Sequence, residues 1–387
     1  ITHKESFMTY EPQHIVVIGA VALGPKAACR FKRLQPKSTV TMIDQAERIS
    51  YGGCGIPYYL SGDVNTADDL QSTNYHRLRD AGFFHDFKDI SVRTQTRAVA
   101  IDRAAKTVRV QNVVTGEEEN LAYDQLVLGM GSSPRRLPIP GADLDGVHVI
   151  DGLEVAESIS GKVKKGEVEK AVVIGAGFTG LEVAEALADM WDIETTVIEV
   201  ADQPLPGLIS DNIAAQVTKH LADNGITVLA GEMVQSLEGS GSVERVVTNK
   251  RTLEADLVIM AAGVVPNAEL AQEAGLDVDE RGGILIDAHM RTSDPNIYAG
   301  GDCASVPNLI TGKPGFYPMG SLANRQGRII GTNLAGGNDS MDGAVGTWII
   351  KLFDKAASGA GLTPAMAARN GLDAEHVIIE MFDRAHF

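Results

Sequence analysis

Four consecutive apolar residues, Ile15 to Ile18, stand between His14 and Gly19. A run of that length without polar alternation predicts a strand buried on both faces of a parallel sheet. A helical stretch follows to Leu34, and a second apolar strand, Val40 to Ile43, ends at Asp44. The plan returns at Ala171-Val-Val-Ile-Gly175, with a helix to Met190 and a strand from Thr195 to Ile198 that ends at Glu199. Each copy then passes through short β-rich segments, Val99 to Leu121 and Ile226 to Leu253. Both lead into an apolar strand and a glycine-to-proline turn, at Leu126 to Pro134 and Leu257 to Pro266. The repetition predicts two domains of one design.

Beyond the second copy, Asn296-Ile-Tyr-Ala-Gly-Gly-Asp302 is again a strand ending in glycine and aspartate, and Ser321 to Leu334 reads as a helix. This segment is expected to rejoin the first domain. From Thr347 a strand, a helix and a strand are expected, and Asp383 to Phe387 supplies no turn or helix to close a sheet, so the third unit reads as incomplete. The expected division is residues 10–149 and 266–337 as one domain, 150–265 as a domain inserted into it, and 338–387 as part of a C-terminal interface domain.

Composition narrows the function. At 387 residues the chain exceeds one ordinary core, and 44% hydrophobic with 22% charged residues describes a globular protein. Its 41 glycines exceed the roughly 7% average usage and point to tight turns or close backbone approach to ligands. The balance of 34 basic against 51 acidic residues, a net charge of -17, repels phosphate backbones and argues against nucleic acid. No apolar run approaches the roughly 18 residues of a membrane span, Leu257 to Val265 being the longest candidate. Ile1 to Gln13 is polar and carries no hydrophobic signal core, which makes a cytoplasmic location the expectation. Three cysteines, Cys29, Cys54 and Cys303, with no Cys-x-x-Cys, speak against a disulfide scaffold and against a zinc site.

The chemistry gathers at the glycine turns. Gly175-Ala-Gly177-Phe-Thr-Gly180 follows an expected strand and opens a helix, and Glu199 lies 24 residues beyond Gly175. The first glycine allows the turn, the second lets a pyrophosphate approach backbone and helix N-terminus, and the acid binds a ribose 2′-hydroxyl. No Lys or Arg occurs from Glu199 to Thr218 to neutralise a 2′-phosphate, so NADH is preferred over NADPH. The first copy, Gly19-Ala-Val21-Ala-Leu-Gly24, keeps the outer glycines, places Val21 in the middle, and has Asp44 25 residues after Gly19. Its duplicated context makes it a second nucleotide site. Directly after Asp44, Tyr51-Gly-Gly-Cys54-Gly-Ile-Pro sets a cysteine among glycines at an expected helix start. Free N–H groups and the helix dipole would stabilise a Cys54 thiolate there. Cys29 and Cys303 read as small buried hydrophobes.

This order of motifs resembles the FAD-dependent pyridine nucleotide-disulfide oxidoreductases over nearly the whole chain. Ser50-Tyr-Gly-Gly-Cys54-Gly-Ile-Pro-Tyr-Tyr is similar to their single-cysteine branch, which includes coenzyme A disulfide reductases, NAD(P)H polysulfide or persulfide reductases, NADH oxidases and NADH peroxidases. The resemblance implies an α/β architecture: two Rossmann-like domains, the FAD domain split by an inserted NAD domain, followed by a truncated α+β dimerisation domain in a homodimer. It implies FAD on Gly19, Gly24, Asp44, Gly131 and Asp302, and NADH on Gly175, Gly177, Gly180, Glu199 and Gly263, with catalytic Cys54 facing the flavin. Oxidase and peroxidase members carry a histidine where this chain has Ala22, which favours a sulfur acceptor over a Cys54 sulfenate cycle. Contacts to coenzyme A, as bound coenzyme or as part of the substrate, fall by the resemblance on Lys26, Arg30, Arg33, Ser50, Gly53, Lys88 and Asn324. Lys26, Arg30 and Arg33 share one helix face at i, i+4 and i+7. The competing readings are an NADH oxidase or peroxidase and, more remotely, a non-catalytic redox sensor.

Overall fold

The computed structural model describes residues 11–380. The first strand, His14–Ile18, lies at the centre of a five-stranded parallel sheet in the order Ile297–Ala299, Gln125–Leu128, His14–Ile18, Thr39–Ile43, Ser91–Arg93. Ile15, Val16 and Val17 are fully buried, as the unbroken apolar run requires of a strand covered on both faces. The returning strand Ile297–Ala299 joins this sheet beside Gln125–Leu128, so the segment does rejoin the first unit. The helix that follows, Gly320–Leu334, packs along the first helix, Leu23–Leu34.

The second copy repeats the arrangement. Lys170–Ile174 is flanked by Glu194–Glu199 and Leu257–Met260 in a parallel sheet that continues to Ile226–Ala230 on one side and Val147–Val149 on the other. Each parallel sheet is accompanied by a small antiparallel one, Thr96–Asp102 with Thr107–Asn112 and Glu118–Ala122 in the first, and Val234–Glu238 with Arg245–Thr248 and Thr252–Glu254 in the second. The two glycine-to-proline turns meet: Ser132–Pro134 pairs antiparallel with Val264–Pro266, tying one unit to the other.

The C-terminal unit departs from expectation. Instead of strand, helix and strand, the chain forms a hairpin, Trp348–Leu352 with Lys355–Gly359, and then a short helix, Pro364–Arg369. The turn at Phe353-Asp354 holds Phe353 at φ 54, a conformation that an aromatic side chain does not signal in sequence. Residues 371–380 form no helix or strand, and Asp383 to Phe387 lie outside the described residues.

Candidate functional site

The two glycine turns are built alike, and the reason is steric. A Cβ on Gly24 would stand 1.9 Å from the carbonyl oxygen of Gly19, and one on Gly180 would stand 1.9 Å from that of Gly175. The third glycine of each turn therefore lets the helix rest directly on the strand-end backbone. Gly19 and Gly175 have φ of 101° and 112°, which L side chains avoid. Gly177 differs: its backbone is extended, and nothing lies within 4 Å of the place a side chain would begin. Packing does not demand a glycine there, and the open space adjoins the uncapped N-terminus of the helix Phe178–Trp191. In the first copy Val21 occupies the equivalent place, half-buried, before a helix that also lacks a side-chain cap.

The acids at the strand ends brace these turns. Asp44 accepts hydrogen bonds from the N–H of Ala20 (2.7 Å) and of Ala46 (2.9 Å). Glu199 does the same with Ala176 and Ala201, both at 2.8 Å. Burial pushes the Asp44 carboxyl up, against the two N–H groups that pull it down. Asp302 is half-buried, receives Ser132 Oγ at 3.3 Å, and has its carboxyl pushed up by burial. Ser132 follows Gly131, so the first glycine-to-proline turn and the returning Gly-Gly-Asp segment come together. Gly131 and Gly263 take φ of 68° and 90° in open surroundings.

Cys54 lies exposed in a short 3-10 turn, Gly53–Gly55, before the helix Ile56–Ser61. A Cβ on Gly320 would come within 3.9 Å of its sulfur, so the first residue of the fifteen-residue Gly320–Leu334 helix faces the thiol. The expectation of a stabilised thiolate needs correction. Desolvation by the surrounding protein pushes the thiol up, Glu182 and Asp302 add to the shift, and the N–H groups of Cys54 and Gly320 oppose it. The opposing help comes in part from a distant helix rather than solely from the local one.

Glu182 escaped the sequence reading. It sits in the first two turns of the Phe178–Trp191 helix, two residues past Gly180, and shares an acidic cleft with Tyr58, Ser61, Asp63, Glu185 and Lys351. Burial, with help from Glu185, pushes its carboxyl up to about 7. The available signal was the spacing of Glu182, Glu185 and Asp189, which places three acids along one face of the helix that the glycine turn opens.

The positions matched to coenzyme contacts divide into groups. Lys88, Arg33 and Lys26 stand close enough to Cys29 for their charges to pull its thiol down, against the larger upward push of burial. Lys88 Nζ lies 5.2 Å from the centre of the Phe83 ring. Arg30 is tied to the neighbouring helix through Nε to Thr332 Oγ1 at 3.1 Å. Asn324 Nδ2 donates to the Gly320 carbonyl at 2.8 Å, one turn from the residue that faces Cys54. Ser50 is buried at φ 54, its N–H bonded to the Ala20 carbonyl at 2.7 Å, and Gly53 is exposed beside Cys54. Cys303 is fully buried, its thiol directed at the carbonyls of Leu128 and Gly300 and pushed up to about 11. Among the described residues no helix is long and apolar enough to cross a membrane.

The chain is similar to known proteins. The chain is 32% identical over 376 residues to the NAD(P)H coenzyme A polysulfide/persulfide reductase of Pyrococcus horikoshii, covering 96% of this chain and 81% of that protein. It is likewise 32% identical over 351 residues to the NADH oxidase of Methanocaldococcus jannaschii, covering 90% and 76%. The solved NAD-dependent persulfide reductase from A. fulgidus superposes with a TM-score of 0.91 at 42% identity, over 93% of this chain and 66% of that one, just under two thirds of its length. With the sequence profile of the pyridine nucleotide-disulphide oxidoreductases matching residues 13–319, the chain belongs to that family.

Proposed function

We propose that this protein is an NADH-dependent flavoprotein reductase of disulfide, polysulfide or persulfide sulfur, with Cys54 as its redox cysteine. The observation that carries the reading is the convergence on Cys54 of groups from both dinucleotide units: Asp302 from the first, Glu182 from the second, and Gly320 from the helix that returns to the first. The residues present suit both cofactors. Gly19, Gly24, Asp44, Gly131 and Asp302 frame the first turn for FAD. Gly175, Gly177, Gly180, Glu199 and Gly263 frame the second for NADH, and the unfilled space at Gly177 is where a pyrophosphate would meet free helix N–H groups. FAD, when bound, supplies two-electron transfer between a nicotinamide and a sulfur–sulfur bond.

Cys54 does the sulfur chemistry. As thiolate it attacks one sulfur of R–S–S–R′, forming a Cys54–S–S–R bond and expelling R′S⁻. Two electrons then break that bond, returning the Cys54 thiolate and releasing RS⁻, and NADH becomes NAD⁺ with one proton passing to solvent. Desolvation, Glu182 and Asp302 hold the thiol protonated above its ordinary value, against the N–H groups of Cys54 and Gly320, so attack speeds up as pH rises. The cluster of Lys26, Arg33 and Lys88 suits the phosphates of a coenzyme A-linked substrate, for which the Pyrococcus relative is named. Apolar Val377, Ile378 and Ile379, 81%, 55% and 73% exposed, suit burial in a homodimer.

The test is Cys54→Ser. FAD binding and NADH bleaching of the flavin should persist while turnover of sulfur substrates is lost, and Cys29→Ser and Cys303→Ser should keep turnover. Equal losses in all three variants would refute the assignment. The name of the Methanocaldococcus relative supports a second reading, an NADH oxidase that cycles Cys54 through sulfenate. Ala22, half-buried at the N-terminus of the first helix, offers no side chain to manage that sulfenate. Oxygen or peroxide turnover faster than sulfur turnover would establish the second reading instead.

A further inference from the structure

The C-terminal hairpin touches the second dinucleotide unit at three places. Its strand Trp348–Leu352 alternates buried Trp348, Ile350 and Leu352 with exposed Ile349 and Lys351, so one face is committed to a neighbour. At one end the Trp348 ring, itself buried, lies 5.5 Å from the ring of Phe178, the first residue of the helix that follows Gly175-Ala-Gly177. At the other end the N–H of Phe353 donates to Glu185 Oε1 at 2.8 Å, and Lys351 Nζ stands 3.8 Å from the same oxygen. Phe178 and Glu185 are seven residues apart and therefore share one helix face.

The third contact comes from a different helix, Asp211–Asp223. Its buried His220 has Nε2 3.0 Å from the Leu352 carbonyl and 3.3 Å from Asp354 Oδ1, and its ring meets Phe353 edge-on at 5.9 Å. Asn224 Nδ2 approaches His220 Nδ1 at 3.5 Å. Nε2 is thus the nitrogen that carries the proton and donates to the hairpin. Phe353 holds its left-handed backbone because both neighbours of the turn are gripped.

We propose that this hairpin is a positioning strap for the dinucleotide-binding helix: by seating Phe178 against Trp348, it sets where the free N–H groups at Gly177 and Phe178 point. The inference rests on the pyridine-nucleotide reading of the Gly175 turn. The first turn of that helix has no side-chain cap to orient it, and its first residue is held from outside by an aromatic contact. Trp348 is then a positioning residue that touches no nucleotide.

The experiment uses the full chain with FAD bound and measures NAD⁺ affinity by calorimetric titration, alongside hydrogen exchange of amides 178–182. Trp348→Ala should weaken NAD⁺ binding about tenfold and speed exchange in that first turn, with FAD content unchanged. Trp348→Phe, which keeps a ring against Phe178, should restore affinity to within threefold of the parent. Glu185→Ala, which releases the far end of the strap, should weaken NAD⁺ in the same direction. Affinity within twofold of the parent in Trp348→Ala overturns the strap, as does loss of FAD and affinity together in both Trp348 variants, which would make the residue a folding determinant. A parent protein whose flavin NADH fails to reduce overturns the underlying nucleotide reading instead.

Discussion

Gly177→Ala separates ligand binding from folding. At this position the backbone has φ -81 and ψ -169, which alanine adopts without strain, and no atom lies within 4 Å of the new methyl group. Stability should be unchanged or raised by about 0.4–1 kcal/mol, because alanine narrows the unfolded ensemble. The methyl group fills the space that a pyrophosphate needs to reach the helix N–H groups. Losing one charge-assisted hydrogen bond there costs about 1.5–3 kcal/mol, or roughly 10–150-fold in NADH affinity. Gly24→Ala is the counterpart: its Cβ would meet the Gly19 carbonyl oxygen at 1.9 Å, so the helix must move, at about 1–3 kcal/mol of stability. Anaerobic stopped-flow bleaching of the flavin across NADH concentrations, with thermal unfolding of both variants, measures the contrast. NADH affinity within twofold of the parent in Gly177→Ala, or a fall in its stability as large as that of Gly24→Ala, would refute the reasoning.

Glu199→Ala should narrow the preference for NADH over NADPH in flavin reduction and lower stability by about 1–3 kcal/mol, since the N–H groups of Ala176 and Ala201 lose their acceptor. Glu182→Gln removes the larger of two negative neighbours of Cys54, so the alkaline rise of sulfur turnover should move to lower pH in a pH–rate profile. The same variant has a stability signature. A carboxyl pushed up from 4.5 to about 7 favours the folded state when protonated, a contribution complete below pH 4.5 and lost as pH rises through about 7. Glu182→Gln should therefore raise the melting temperature more at pH 8 than at pH 5. Arg33→Ala should raise KM for coenzyme A disulfide severalfold and leave inorganic polysulfide unchanged, as steady-state kinetics on the two substrates would show.

What the linear order of residues determined is what local backbone physics controls. The buried parallel strands followed from apolar runs without alternation, and the turns followed from glycines whose obstacles, the Gly19 and Gly175 carbonyls, lie five residues away in sequence. Asp44 and Glu199 were legible as strand-end acids because their partners are the turn beside them and a residue two positions on. The surroundings of Cys54 were not legible in this way. Gly320, Asp302 and Glu182 reach it from three distant segments, and the antiparallel pairing of Ser132–Pro134 with Val264–Pro266 links the units they come from. A local argument assigned the thiol a helix dipole and predicted a low pKa, while desolvation and two remote carboxylates decide the opposite sign. The hairpin was missed for the same reason: Leu352-Phe-Asp-Lys355 carries no glycine or proline to announce a turn, and Phe353 takes its left-handed conformation where Glu185 and His220, both outside the hairpin, bind the turn.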